Sequence, residues 1–78
     1  MPNSEVYKDM SKILKYIQKS DYETISTNFY QNVIVLTPNK ITADMLLEEL
    51  VREFGNLFHC VRITDSRFVL YSVKDTLI

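Results

Sequence analysis

The chain has 78 residues, nine Lys and Arg against ten Asp and Glu for a net charge of −1, 46% hydrophobic and 12% aromatic residues, and a single Cys. This composition excludes a disordered, collagen-like or low-complexity chain, and the length supports one core burying about 60% of the unfolded surface, so residues 1–78 are expected to form one small α+β domain. The near-zero charge removes the global signature of a nucleic-acid binder, although local patches can persist on a neutral protein.

In Ser4 to Lys19, Val6, Met10, Ile13, Leu14 and Ile17 recur at the period of one helical stripe. Asn3 or Ser4 can cap the first turn, Glu5 suits its positive end, and Lys15 and Lys19 suit the negative end. Ser20 and Asp21 end the helix.

From Tyr22 to Thr37 the residues become β-branched and aromatic, which predicts a hairpin whose surer arm is Val33 to Leu36. A two-residue turn at Gln31-Asn32 sends Ile25, Phe29, Ile34 and Leu36 toward the helices and Tyr30, Val33 and Val35 the other way. Pro38, lacking an amide proton, stops the second arm.

Thr42 to Phe54 is helical in period, with Ala43, Leu46, Leu47, Leu50, Val51 and Phe54 on one stripe. Thr42 reads as its N-cap, Ile41 and Leu46 as a hydrophobic staple, and Gly55 as a left-handed C-terminal cap.

Leu57 to Val73 reads as two strands around Asp65-Ser66, with a tail from Lys74 to Ile78. The order α-β-β-α-β-β predicts a two-layer sandwich: a four-stranded, mostly antiparallel sheet with two helices on one face. A tight turn at Asp65-Ser66 puts Val61, Ile63, Phe68 and Leu70 in the core, and Phe58, Cys60, Arg62, Val69, Tyr71 and Val73 on the second face, with Thr64 and Arg67 near the turn.

The helices of a two-layer domain cover one sheet face only. A second face bearing Val33, Val35, Phe58, Val69, Tyr71 and Val73 is therefore too apolar to leave in water, and these six residues are the candidate partner interface. The competing explanations are a register shifted by one residue, or Thr76-Leu77-Ile78 folded over the patch. Self-association is the favoured use of the face, because a homodimer also relieves the marginal stability of a domain this small.

Nucleic acid is the alternative partner. Lys8, Lys12, Lys15 and Lys19 form a ridge on the first helix, and Arg62 and Arg67 mark the second hairpin. Solvated lysines are ordinary, however, and neither an aromatic-glycine-aromatic signature nor a GxxG loop is present. The acids of the second helix, Asp44, Glu48, Glu49 and Glu53, complement the lysines of the first and are expected to help the helices pack.

Catalysis finds little support. His59 and Cys60 are strand neighbours and point to opposite faces, which suits structural roles better than an acid-base and nucleophile pair. No phosphate loop, dinucleotide fingerprint or metal-ligand spacing occurs, so neither enzyme activity, a cofactor nor a metal is expected. A lone Cys, apolar runs only four residues long such as Val33 to Leu36, and an opening MPNSEVYKDM without an apolar segment predict a cytoplasmic protein without membrane association. The expected activity is that of a small non-enzymatic regulatory module binding a protein partner.

Overall fold

The computed structural model describes residues 4–29 and 32–74. The elements run α1 (Ser4–Lys19), β1 (Ile25–Phe29), β2 (Asn32–Leu36), α2 (Lys40–Phe54), β3 (Phe58–Thr64) and β4 (Arg67–Ser72), an α+β fold in the order α-β-β-α-β-β. The sheet order is β1-β2-β4-β3, with every neighbouring pair antiparallel.

The periodicity of α1 translates directly into packing. Val6, Met10, Ile13 and Ile17 are fully buried and join Ala43, Leu46 and Leu50 of α2 in one cluster with Val33, Val35, Phe58, Phe68 and Leu70 of the sheet. Each such aliphatic or aromatic side chain contributes about 1.5–3 kcal/mol on leaving water. Both helices therefore cover the same face of the sheet. Asn3 and the Ser4 side chain, the expected caps of α1, lie outside the described residues.

Helix α2 begins earlier than its periodicity implies. Asn39, not Thr42, is the N-cap: its side-chain oxygen accepts from the Thr42 amide at 2.8 Å, satisfying one of the free donors of the first turn. The chain is brought to this cap by Thr37, whose amide donates to the Ser66 carbonyl (2.7 Å) and whose hydroxyl lies 2.9 Å from the same oxygen. Ile41 is 70% exposed and staples nothing, and Val51, expected on the buried stripe, is 59% exposed. Gly55 does end the helix, but not in the left-handed region, for its φ is −57°. Glycine is required there by proximity: a Cβ would meet the Val51 carbonyl oxygen closer than real Cβ atoms come.

Two register findings redistribute the sheet residues. In the second hairpin Thr64 pairs with Arg67 across the Asp65-Ser66 turn, yet Arg62 pairs with Phe68, so Ile63 is an extra residue in a β-bulge. One extra residue inverts a strand relative to its partner. Phe68 and Leu70 stay in the core as expected, but Phe58, Cys60 and Arg62 join their side of the sheet. Val61 moves to the open side, and Ile63 is exposed at the bulge.

In the first hairpin the grouping of residues into two faces is as expected, but the faces are exchanged. Strand β2 is apolar on both sides, so alternation alone cannot choose between them. Its ladder with β4 decides: Val33 lies opposite Leu70 and Val35 opposite Phe68, which draws both valines under the helices. Ile25, Ile34 and Leu36, expected in the core, lie on the open face. Strand β1 ends at Phe29, paired with Asn32, so the connection is Tyr30-Gln31, one residue earlier than expected. Tyr30, the Phe29 side chain and the tail segment Thr76-Leu77-Ile78 lie outside the described residues.

Candidate interaction surface

The open face is organised in cross-strand rows set by the ladders. Thr27, Ile34, Val69 and Val61 form the central row across β1, β2, β4 and β3. On one side lies the row Ile25, Leu36, Arg67 and Thr64; on the other, Asn32, Tyr71 and His59, with Val73 beyond. Ile25 is 68% exposed, Val61 44% and Ile34 39%, while Val69 is shielded by its neighbours. His59 and Tyr71 stack with ring centroids 5.5 Å apart.

The edge strands are reversed relative to an ordinary half-buried sheet. Strand β1 turns Ser26 and Asn28 toward the helices and Ile25 toward solvent. The inward Asn28 is accommodated by a hydrogen bond from its Nδ2 to Ser11 Oγ on α1 (3.2 Å). Strand β3 likewise turns Arg62 inward and Val61 outward. The inward guanidinium is met by Asp44 of α2 at 2.7 Å and donates to the Asp65 carbonyl at 2.6 Å. Lys40 and Arg62 together hold the Asp44 carboxyl below its ordinary range.

The six residues expected at a partner interface therefore separate. Val69, Tyr71 and Val73 are on the open face; Val33, Val35 and Phe58 are in the core, because of the β4 ladder and the Ile63 bulge. Ile25, Ile34, Leu36 and Val61 take their place outside. Arg62 and Arg67, expected side by side, stand on opposite faces. Lys8, Lys12, Lys15 and Lys19 are all exposed along α1. His59 and Cys60 face opposite ways, being opposite Tyr71 and Leu70 respectively. Cys60 is exposed at the rim of the helix side, and partial burial raises its thiol pKa.

The helices are joined through tyrosines where lysines were expected. Tyr16 and Tyr22 both donate to the Glu49 carboxylate, Tyr22 at 2.7 Å to Oε2, and Tyr16 packs edge-on against Phe54. These hydrogen bonds hold Glu49 below the usual carboxylate range and push the Tyr16 hydroxyl up to about 12. The charge distribution therefore favours an ionised Glu49 between two neutral phenols. Lys74 Nζ lies 3.1 Å from the buried Asp9 of α1, which raises the lysine pKa. Asp9 is three residues after Val6 and four before Ile13, a stripe position that already marks it as inward.

Among the described residues no group of His, Cys, Asp and Glu is placed to hold a metal ion, and no helix is long and apolar enough to cross a membrane. Comparison with protein families, with curated proteins and with solved structures finds no match for this chain.

Proposed function

We propose that this chain is a small, non-enzymatic regulatory module of the cytoplasm that acts by binding a protein partner, and that it self-associates through the open face of its sheet. The observation that carries this reading is the reversal of the edge strands. A sheet exposed to water as its working state places polar residues outward and apolar residues inward. Here Ser26, Asn28 and the exposed Arg62 are turned to the helix side, while Ile25 and Val61 flank Ile34 and Leu36 outside. Burying that row in an interface recovers about 25 cal/mol per Å² of apolar surface. The lone Cys60 supports a reducing compartment.

A second copy suits the face because the strand residues on it carry no carboxylate and one side chain of fixed charge, Arg67, at its margin. Two such faces meet without opposed ions at their centre. Nucleic acid is the other candidate partner, through the α1 lysines. The hairpin arm of that reading is weakened by Arg62, which is engaged by Asp44 on the far side from Arg67.

The test is light scattering after size exclusion across protein concentration, at low and high salt, with and without short DNA and RNA. A salt-insensitive dimer that becomes monomeric in Ile34→Asp and Val61→Asp, with unchanged circular dichroism, is expected. A monomer at every concentration, or a nucleic-acid shift lost at high salt, overturns the reading.

A further inference from the structure

Resting on the self-association reading, we infer that two copies pack sheet to sheet with the twofold axis running across the strands along the Thr27–Ile34–Val69–Val61 row, so that Arg67 of each copy lies over Tyr71 of the other. The positions of the charged and aromatic residues along β4 select this arrangement. Val69 is midway between Arg67 and Tyr71, which alternate with buried Phe68 and Leu70 and so share the open face. At about 3.3 Å per residue, Arg67 and Tyr71 stand about 13 Å apart on one strand.

Two packed sheets keep their strands within about 30° of each other, which leaves two symmetric ways to superpose the faces. A twofold axis parallel to the strands lays the Arg67 end of one copy on the Arg67 end of the other. Arg67 then covers Leu36, the residue facing it on β2, and both guanidiniums are confined to one end of an apolar interface, where each loses water without gaining a partner.

An axis across the strands exchanges the ends. The central aliphatic row then packs on its own copy, and the two guanidiniums are carried to opposite ends of the interface. Each arrives over the row containing Tyr71, one face of whose ring is stacked on His59. A guanidinium against the other face of that ring is an attractive pair that strengthens as water is excluded. The same operation sets Thr64 of one copy near His59 of the other.

The experiment is an isotope-filtered NOE measurement on an equimolar mixture of ¹³C-labelled and unlabelled full-length chain, with dimer dissociation constants measured in parallel. Contacts between copies from the Arg67 side chain to the Tyr71 ring are expected; within one chain the two are too far apart to give them. Arg67→Ala is expected to weaken dimerisation about tenfold, since the contact occurs twice, and to have little further effect in a Tyr71→Leu background. Arg67 contacts to Leu36 of the other copy, or additive effects of the two substitutions, overturn the arrangement while leaving self-association intact. A wild-type chain that stays monomeric overturns both.

Discussion

Arg62 and Arg67 flank one short turn and yet serve opposite faces of the sheet. Arg62 pairs across the ladder with Phe68 and reaches Asp44 at the solvent-exposed rim of the helix side, while Arg67 pairs with Leu36 on the open side. Ile63, inserted between Arg62 and Thr64, is the cause. The bulge keeps Phe58 in the core and presents Val61 and His59 outward.

Deleting Ile63 joins Arg62 directly to Thr64 in an unbulged two-residue hairpin, so Arg62 stays opposite Phe68, Phe58 stays in the core and His59 stays outside. A change within about 1 kcal/mol is expected, because the residue removed is exposed and no core side chain changes face. Urea denaturation checks it, and a loss of about 3 kcal/mol, in the range of losing a large buried side chain, would mean that β3 had changed face.

The Glu49 clamp predicts a stability window in pH. Glu49 has a folded pKa below its unfolded value, so its contribution is present above about pH 4.3 and is lost as pH falls through the lower folded value. Tyr16 is shifted upward, so its contribution is complete below about pH 10 and is lost as pH rises through about 12. Thermal unfolding followed from pH 2 to 12 should therefore decline at both ends. In Tyr16→Phe the alkaline decline should diminish and the acid decline should become shallower; unchanged profiles would remove the clamp as a stabilising element.

The two ends of α2 give opposing tests of ordinary helix rules. Asn39→Ala should cost about 1 kcal/mol through loss of the cap, whereas Thr42→Ala, which leaves the bonded amide in place, should cost only a few tenths. Gly55→Ala should destabilise by about 1 kcal/mol, although Gly to Ala at a negative φ commonly stabilises by 0.4–1 kcal/mol. The sign is set by the Val51 carbonyl, which occupies the space of the new Cβ. Chemical denaturation of the three variants distinguishes these outcomes.

Cys60 should react with iodoacetamide at neutral pH more slowly than a free cysteine, because burial raises its thiol pKa and lowers the thiolate fraction. Mass spectrometry of native and unfolded chain gives the ratio of rates. Faster labelling in the native state would reopen a catalytic or redox role.

Much of this molecule is legible along the chain. The stripe Val6, Met10, Ile13 and Ile17 announces α1 and its buried side, because the helical period leaves one angular solution for so many apolar residues. Phe68 and Leu70 are legible as core, and Val69 and Tyr71 as their opposite, because strand alternation is strict within β4. The element order and the two-layer architecture follow from the same periodicities. The existence of a second apolar sheet face follows too, for the strands hold more large apolar residues than one covered face can take.

Which residues make up that face depends on contacts between strands that no local pattern encodes. Val33 and Val35 compete with Ile34 and Leu36 on nearly equal terms, and the choice falls to the partners Leu70 and Phe68, more than thirty positions away. The Ile63 bulge inverts β3 without a glycine or proline to signal it. The pairs Arg62–Asp44, Tyr22–Glu49 and Lys74–Asp9 likewise arise where separate elements meet. Local periodicity reports the faces each element has. Only the ladder and the helix layer assign those faces to the inside or the outside, since burial is a property of the assembled sheet.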